Sequence, residues 1–238
     1  MKKIYLLVVL ISMSLTTVAQ TQKYYHDNGN LKAEGSFSDK KQTGEWKFYY
    51  ESGALNIEGS FINGNRVGEW KFYYENGQIE HIGSYNENQQ KIGEWKEFTD
   101  DGDLYRIFNY KDGVRHGLMV GYSAPNQLFV EGNYVDGKKN GVWKHYDLTN
   151  GYLRKTGTYV DGKESGTWTS YHENGQIRGV EQYENGYRHG QNTSYHKNGK
   201  IDESGLYKKG RREGEWLFYD EEGKLIETKL YSEGEVQN

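Results

Sequence analysis

Residues 44–61 read GEWKFYYESGALNIEGSF, and residues 68–85 read GEWKFYYENGQIEHIGSY. The sentence is written again 24 positions on, with few changes. All six tryptophans (Trp46, Trp70, Trp95, Trp143, Trp168, Trp216) stand two residues after a glycine. A second aromatic series runs Phe37, Phe61, Tyr85, Tyr110, Tyr134, Tyr159, Tyr183, Tyr207, Tyr231, in steps of 24 or 25. A short fixed period spanning nearly the whole chain defines a repeat architecture and overrides any domain count taken from length. The spacing predicts a single array of eight full repeats and a partial C-terminal one, over residues 20–238.

Within one repeat, Trp70, Phe72 and Tyr74 alternate with Lys71 and Tyr73, the period of a strand. Asn76-Gly77 follows, a hairpin signal because both residues tolerate the positive φ of a type I′ turn. Folding about Asn76-Gly77 places Tyr74 opposite Ile79, Phe72 opposite His81, Trp70 opposite Gly83 and Gly68 opposite Tyr85. Folding the connection between repeats about Gly64-Asn65 places Phe61 opposite Gly68 and Gly59 opposite Trp70. Two cross-sheet rows result, Trp46-Gly59-Trp70-Gly83-Trp95 and Gly44-Phe61-Gly68-Tyr85-Gly93. Aromatics and glycines alternate in both, so each ring is expected to cover a neighbour's bare backbone. A Gly59→Val change is accordingly expected to crowd both Trp46 and Trp70.

The predicted fold class is all-β: an open antiparallel meander of repeated hairpins. The rows carry almost no stagger, and a closed barrel needs shear. Two strands per repeat give a ribbon on the order of 80 Å long. A bend is expected where the pattern departs. Met119 takes a tryptophan position there, and Pro125-Asn126 takes a turn that proline's fixed φ bars from type I′. One side of the ribbon carries Trp46, Phe48, Leu55, Ile57 and Phe61; the other carries Glu45, Lys47, Tyr49, Glu58 and Ser60. An apolar face of that length is expected to coil over itself, or to pack on a second copy or a partner.

The unit Y-x-x-N-G-x-[IL]-x-x-x-G-x-[YF]-x-x-G-x-x-x-G-x-W resembles the bacterial variant of the MORN repeat, from about residue 24 to residue 234. The resemblance implies an array of β-hairpins and a role in protein association or scaffolding. Some relatives are described as antitoxin components. The family has no shared catalytic residues to carry over.

Lys2 and Lys3, the apolar run Ile4 to Met13 and the small residues before Gln20 form the pattern of a secretory signal peptide over residues 1–19. The run is too short to span a bilayer, so no integral membrane segment is expected after its removal. Export to the periplasm or cell surface is the expected localisation. Losing Lys2 and Lys3 lowers the formal charge from −4 to −6. With charges of both signs in every repeat and no basic stripe, nucleic acid is a poor partner. The chain has no cysteine, hence no disulfides.

Chemistry is sparse. His26, His172 and His196 fill a position held by Tyr50 and Tyr74 elsewhere. Equivalent positions lie two strands apart, about 9.5 Å, too far to share a zinc ion. The Asp-Gly pairs are turns rather than calcium loops. No acid–base couple, nucleophile elbow or phosphate loop stands out. The expectation is a protein without enzymatic activity, cofactor or metal, exported, acting as a scaffold for a protein partner. The alternative is a cell-envelope glycan-binding module that stacks exposed rings on sugars; the third is an antitoxin-like neutraliser of a toxin. Candidate contact residues are Tyr49 and Tyr73 on the polar side, with Met119 and Tyr122 in the departing repeat.

Overall fold

The computed structural model describes residues 21–237, and every described element is a strand or a turn. The expected signal peptide lies outside the described residues. The strands are β1 (Thr21–Tyr25), β2 (Leu31–Ser38), β3 (Lys41–Tyr49), β4 (Leu55–Ile62), β5 (Asn65–Tyr73), β6 (Ile79–Tyr85), β7 (Lys91–Phe98), β8 (Leu104–Lys111), β9 (Val114–Ala124) and β10 (Gln127–Val135). They continue as β11 (Lys138–Tyr146), β12 (Leu153–Val160), β13 (Lys163–Tyr171), β14 (Ile177–Glu184), β15 (Tyr187–Tyr195), β16 (Ile201–Lys208), β17 (Arg211–Tyr219), β18 (Leu225–Ser232) and β19 (Glu235–Val236). Each pairs antiparallel with the next, in one sheet of 19 strands. Among the described residues no pairing joins the last strands to the first, so the sheet is open, as the sequence predicts.

The tryptophan row forms as expected. Trp46 lies opposite Gly59, Gly59 opposite Trp70 and Trp70 opposite Gly83. An ideal Cβ placed on Gly59 would stand 2.3 Å from Trp70 Cδ2, and one on Gly157 would stand 2.0 Å from Trp168 Cδ2. The indole therefore lies flat on backbone that only glycine leaves bare. Each ring covers the glycine of the strand before it: Trp46 lies on Gly35, and the atoms nearest Gly59 belong to Trp70 alone. The expectation that Gly59 touches both rings is corrected accordingly.

The second row forms only within each hairpin, where Gly44 faces Phe61 and Gly68 faces Tyr85, and breaks between repeats. Phe61 faces Arg66 and Tyr85 faces Lys91, so neither meets a glycine on the strand that follows. Two features account for the difference. The turn between repeats centres on Asn63-Gly64, whose φ values of +53° and +83° are those of a type I′ turn, one residue earlier than expected. Pairing then slips between Gly59–Trp70 and Ser60–Val67, leaving Gly68 and Glu69 with no residue opposite on β4. Gly68 has φ +66° and open space where a Cβ would sit. It is glycine for the left-handed backbone of a bulge, not to accommodate a ring.

The bulge also serves the ring. It frees a strand carbonyl, and the indole N–H takes it: Trp46 Nε1 donates to the Ser36 carbonyl at 3.1 Å, and Trp216 Nε1 to that of Leu206 at 3.1 Å. Trp70 Nε1 is buried without a partner.

Within the hairpin, Phe72–His81, Trp70–Gly83 and Gly68–Tyr85 pair as predicted, but Ile79 faces Tyr73, not Tyr74. The Asn76-Gly77 turn is not type I′. Gly77 alone has positive φ, at +87°; its N–H donates to the Tyr74 carbonyl at 2.9 Å, and Tyr74 N–H donates to Gln78 O at 2.8 Å. That is a three-residue loop, a type I turn closed by a glycine bulge. Asn76 has a different task. Its Oδ1 accepts from Gln78 N–H, and its Nδ2 donates to the Asp100 carbonyl of the next hairpin at 2.7 Å.

At Pro125-Asn126 the turn is of another kind, as expected. Ala124 pairs with Gln127, and only Asn126 carries positive φ, +60°, which fits a type II turn. The flanking register is irregular on both sides of Leu128, and β9 is 11 residues long.

The two classes of glycine give a direct prediction. Gly59→Val drives a side chain into Trp70 and should destabilise by about 3 kcal/mol. Gly68→Ala has room and bears only left-handed strain of about 1–2 kcal/mol. Urea unfolding of the two variants checks the order; a Gly68→Ala penalty equal to or above that of Gly59→Val contradicts it.

Candidate binding surface

The six indoles are between 0 and 4 % exposed within the single chain. The sequence leads one to expect coiling or a second molecule to hide them; the repeats hide them within one layer. Below each ring is glycine backbone. On one flank an aromatic stands edge-on, Phe61 at 4.9 Å from Trp70 and Tyr207 at 5.1 Å from Trp216. On the other flank the next member of the series does the same, Tyr85 at 6.4 Å and Tyr231 at 6.2 Å. A cation closes the outer face: Arg66 at 4.5 Å from the Trp70 centroid, Lys91 at 4.0 Å from Trp95, Lys139 at 4.2 Å from Trp143, Arg212 at 3.9 Å from Trp216. Burial depresses the Lys139 ammonium below its usual value. Each edge-on pair contributes about 0.5–1.5 kcal/mol and each cation about 0.5–2. The cation caps went unforeseen, because their side chains read as ordinary surface charge in the turn before the tryptophan. The signal was there: a basic residue recurs four positions before the ring at Arg66, Lys91, Lys139 and Arg212.

One hairpin is bonded to the next at the position that alternates between tyrosine and histidine. Tyr50 Oη donates to the Tyr73 carbonyl at 2.6 Å and Tyr74 Oη to Phe98 O at 2.9 Å. Where histidine stands, Nε2 takes the same partner: His172 to Tyr195 O at 2.8 Å, His196 to Tyr219 O at 3.0 Å. These histidines are structural links. Among the described residues no three His, Cys, Asp or Glu side chains converge as a metal site.

The candidate contact residues do not form one cluster. Tyr49 on β3 and Tyr73 on β5 are half-buried, and their hydroxyls are committed: Tyr49 Oη donates to Glu34 Oε1 at 2.7 Å, Tyr73 Oη to Glu58 Oε1 at 2.6 Å. Tyr146 repeats the pattern with Glu131 at 2.8 Å. Burial, then the Glu34 bond and charge, push the Tyr49 phenol up to about 12. Met119 is buried at 7 % exposure. It occupies the tryptophan position opposite Phe108, which fills the glycine position, so the ring stands on the glycine strand and a flexible methionine takes the ring's place. Tyr122 faces Leu128 beside the Pro125 turn.

One further departure from the repeat lies near the C-terminal end of the sheet. Trp168 faces Glu181 where a glycine would stand, and Glu181 faces Asn192 where a tryptophan would stand. Glu181 binds Arg188 Nη2 at 2.6 Å and Lys155 Nζ at 3.5 Å, and accepts from Tyr183 Oη at 3.0 Å. Beside it, Arg212 grips Glu203 with contacts of 2.9 and 2.8 Å. A hollow of about 400 Å³ opens among these residues. The Glu181 carboxylate breaks the repeat, although no acid–base couple stands out in the sequence. The mark was its place eleven residues before the asparagine that replaces a tryptophan.

The family described as MORN repeat variant matches residues 21–39, 42–63, 66–87, 91–112, 164–185, 188–209 and 212–233. The chain belongs to this family. The unmatched stretch 113–163 contains the Phe108–Met119 exchange partner and the proline turn, yet its strands continue the same sheet. No curated protein matches. Among solved structures, a crystal structure of TcdB2-TccC3 is 15 % identical with a TM-score of 0.19, over 91 % of this chain and 14 % of that one. The TcdB2-TccC3-Cdc42 structure is 16 % identical with a TM-score of 0.19, over 88 % of this chain and 13 % of the other. The chain thus spans about one seventh of the proteins it was matched to, at TM-scores too low to carry an argument. Among the described residues no helix is long and apolar enough to cross a membrane.

The tyrosine–carboxylate bonds set a pH dependence. The Tyr49 hydroxyl is the main cause holding Glu34 below its usual 4.5. A lowered folded-state pKa contributes stability above the unfolded value and loses it as pH falls through the folded one. Tyr49→Phe should therefore cost about 0.5–1 kcal/mol at pH 7, the lower part of the range for a partly solvated pair. That cost should shrink as pH falls below 4.5. Denaturation of both proteins from pH 7 to pH 3 checks this; a gap independent of pH contradicts it.

Proposed function

We propose that this protein is a non-enzymatic, exported scaffold that binds another protein over a broad surface of several repeats. The observation that carries the reading is the unbroken succession of antiparallel hairpins, which holds its own aromatic face closed and leaves a long two-sided sheet surface of mixed charge. A second copy is not needed to bury the tryptophans, so the partner is expected to contact polar side chains and turn residues rather than the indoles. Membership of the MORN repeat variant family supports an interaction role. The N-terminal Lys-Lys-apolar-small pattern supports export to the periplasm or cell surface.

Binding as a glycan module has weaker support. A sugar platform needs an uncovered ring, and the tyrosines nominated for that role spend their hydroxyls on Glu34 and Glu58 while remaining half-buried. An antitoxin-like role has no residue of its own to argue from.

The test is affinity capture of partners from cell-envelope extract with the full chain, followed by binding to variants lacking hairpin pairs. Because a repeat array is close to a sum of neighbours, affinity should fall stepwise as pairs are removed. Saturable binding to peptidoglycan or polysaccharide fragments, lost in Tyr49→Ala and Tyr73→Ala variants that still fold, would instead favour the glycan reading.

A further inference from the structure

Between its two ends, where Gln22 faces Gly35 and Lys229 faces Trp216, the row of glycine–tryptophan pairs turns polar once among the described residues, at Glu181 and Asn192. The adjacent row is apolar at Phe48, Ile57 and Phe72, polar at His81, Glu97 and Arg106 and again at His145 and Lys155, and over β13 to β16 it carries the small or polar Ser170, Gly179, Ser194 and Glu203. The result is the hollow of about 400 Å³, in the space an indole would fill. The exchange gives up the interaction on which every neighbouring repeat relies. The other exception, Phe108 with Met119, keeps the row apolar and closed. A local rule broken without a compensating gain in packing marks function.

The hollow's polar groups divide into spent and unspent. Glu181 is satisfied by Arg188, Lys155 and Tyr183, and Glu203 by Arg212. Of the lining groups that remain, three bear on binding. Asn192 is 5 % exposed, and its side-chain amide has no hydrogen-bond partner among the described residues. Its amide atoms are not among the fully buried ones without a partner, so the group opens into the hollow, where a bound acceptor can reach it. Arg154 on β12 and Arg178 on β14 flank β13, are exposed, and enter no ion pair among the described residues. Asn192 on β15 and the two uncommitted guanidiniums on β12 and β14 line the same hollow, and together they call for an anionic acceptor; planar guanidinium forks suit carboxylates.

We propose that this notch is a carboxylate-binding site that receives an acidic segment of a partner polypeptide. The assignment rests on the protein-binding reading above and gives the partner a chemistry. A peptide is favoured over an acidic glycan because the rings around the notch are already covered. Lys155 Nζ lies 4.6 Å from the Trp168 centroid, and the Arg188 guanidinium lies 5.3 Å from that of Tyr207. No open aromatic face is left for a sugar to stack on.

The test uses the full chain and an N-acetylated, C-amidated tetraglutamate, with the Asn192 side-chain amide followed by ¹H–¹⁵N NMR and assigned from Asn192→Asp. The amide should shift saturably with tetraglutamate and not with tetraglutamine. The double variant Arg154→Gln/Arg178→Gln, on exposed positions, should keep the parent melting temperature and bind at least about tenfold more weakly. Glu181→Gly with Asn192→Trp writes the repeat pair back into the row; it should melt no lower than the parent and lose the peptide. Equal binding by the arginine variant, an equal response to tetraglutamine, or an unmoved Asn192 amide would overturn the proposal. So would tighter binding of oligogalacturonate than of tetraglutamate. Such an outcome leaves the broad scaffold standing if stepwise loss of the captured partner is still seen; loss of stepwise behaviour with tetraglutamate binding intact would strike the scaffold reading alone.

Discussion

A tryptophan laid flat on the bare backbone of a glycine is the contact from which the rest of the sheet follows. A single-layer sheet has no opposite wall to bury its apolar face. Here each tryptophan repeat supplies its own: glycine below, two ring edges at the sides and, over five of the six rings, an arginine or lysine above. The cover comes from strands immediately before and after, so one hairpin is incomplete and a run of them is stable. The same dependence explains the period. A ring that covers the preceding strand must recur every second strand, and the Tyr/His bonds at one end tie each hairpin to its successor in the same step.

Much of the fold was legible because glycine and tryptophan announce themselves. The Trp70–Gly59 and Trp70–Gly83 pairings are both expected from the sequence and both present. Prediction of the first survived two errors that cancelled: the Asn63-Gly64 turn sits one residue early, and the Gly68-Glu69 bulge restores the register. Gly68 misled because glycine has two uses, room for a ring and access to positive φ, and spacing does not separate them. Asn76-Gly77 misled for a similar reason. The turn could use asparagine's tolerance of positive φ, but the side chain is needed to reach Asp100, and the loop takes the type I form with only Gly77 left-handed.

The candidate site was less legible. Tyr49 and Tyr73 were nominated for lying on the polar side, and a sequence does not show that Glu34 and Glu58 wait across the strand for their hydroxyls. Glu181 and Asn192 look ordinary among many acids and asparagines. Their importance is positional, visible once the row is laid out strand by strand and two members lack their ring and their glycine. The cations over the rings escaped notice because a lysine four residues before a tryptophan has no meaning until a bulge turns it back over the indole.

The central claim is that six glycines lie under indole faces, and aromatic ring currents report this directly. In an assigned ¹H–¹³C NMR spectrum, Hα protons of Gly35, Gly59, Gly83, Gly132, Gly157 and Gly205 should lie far upfield of the other glycines. Gly44, Gly68 and Gly166, with the same repeat frequency but open space around them, should not. Ordinary shifts for all six would show that the rings do not rest on the backbone, and the account of how this sheet stays folded would fail.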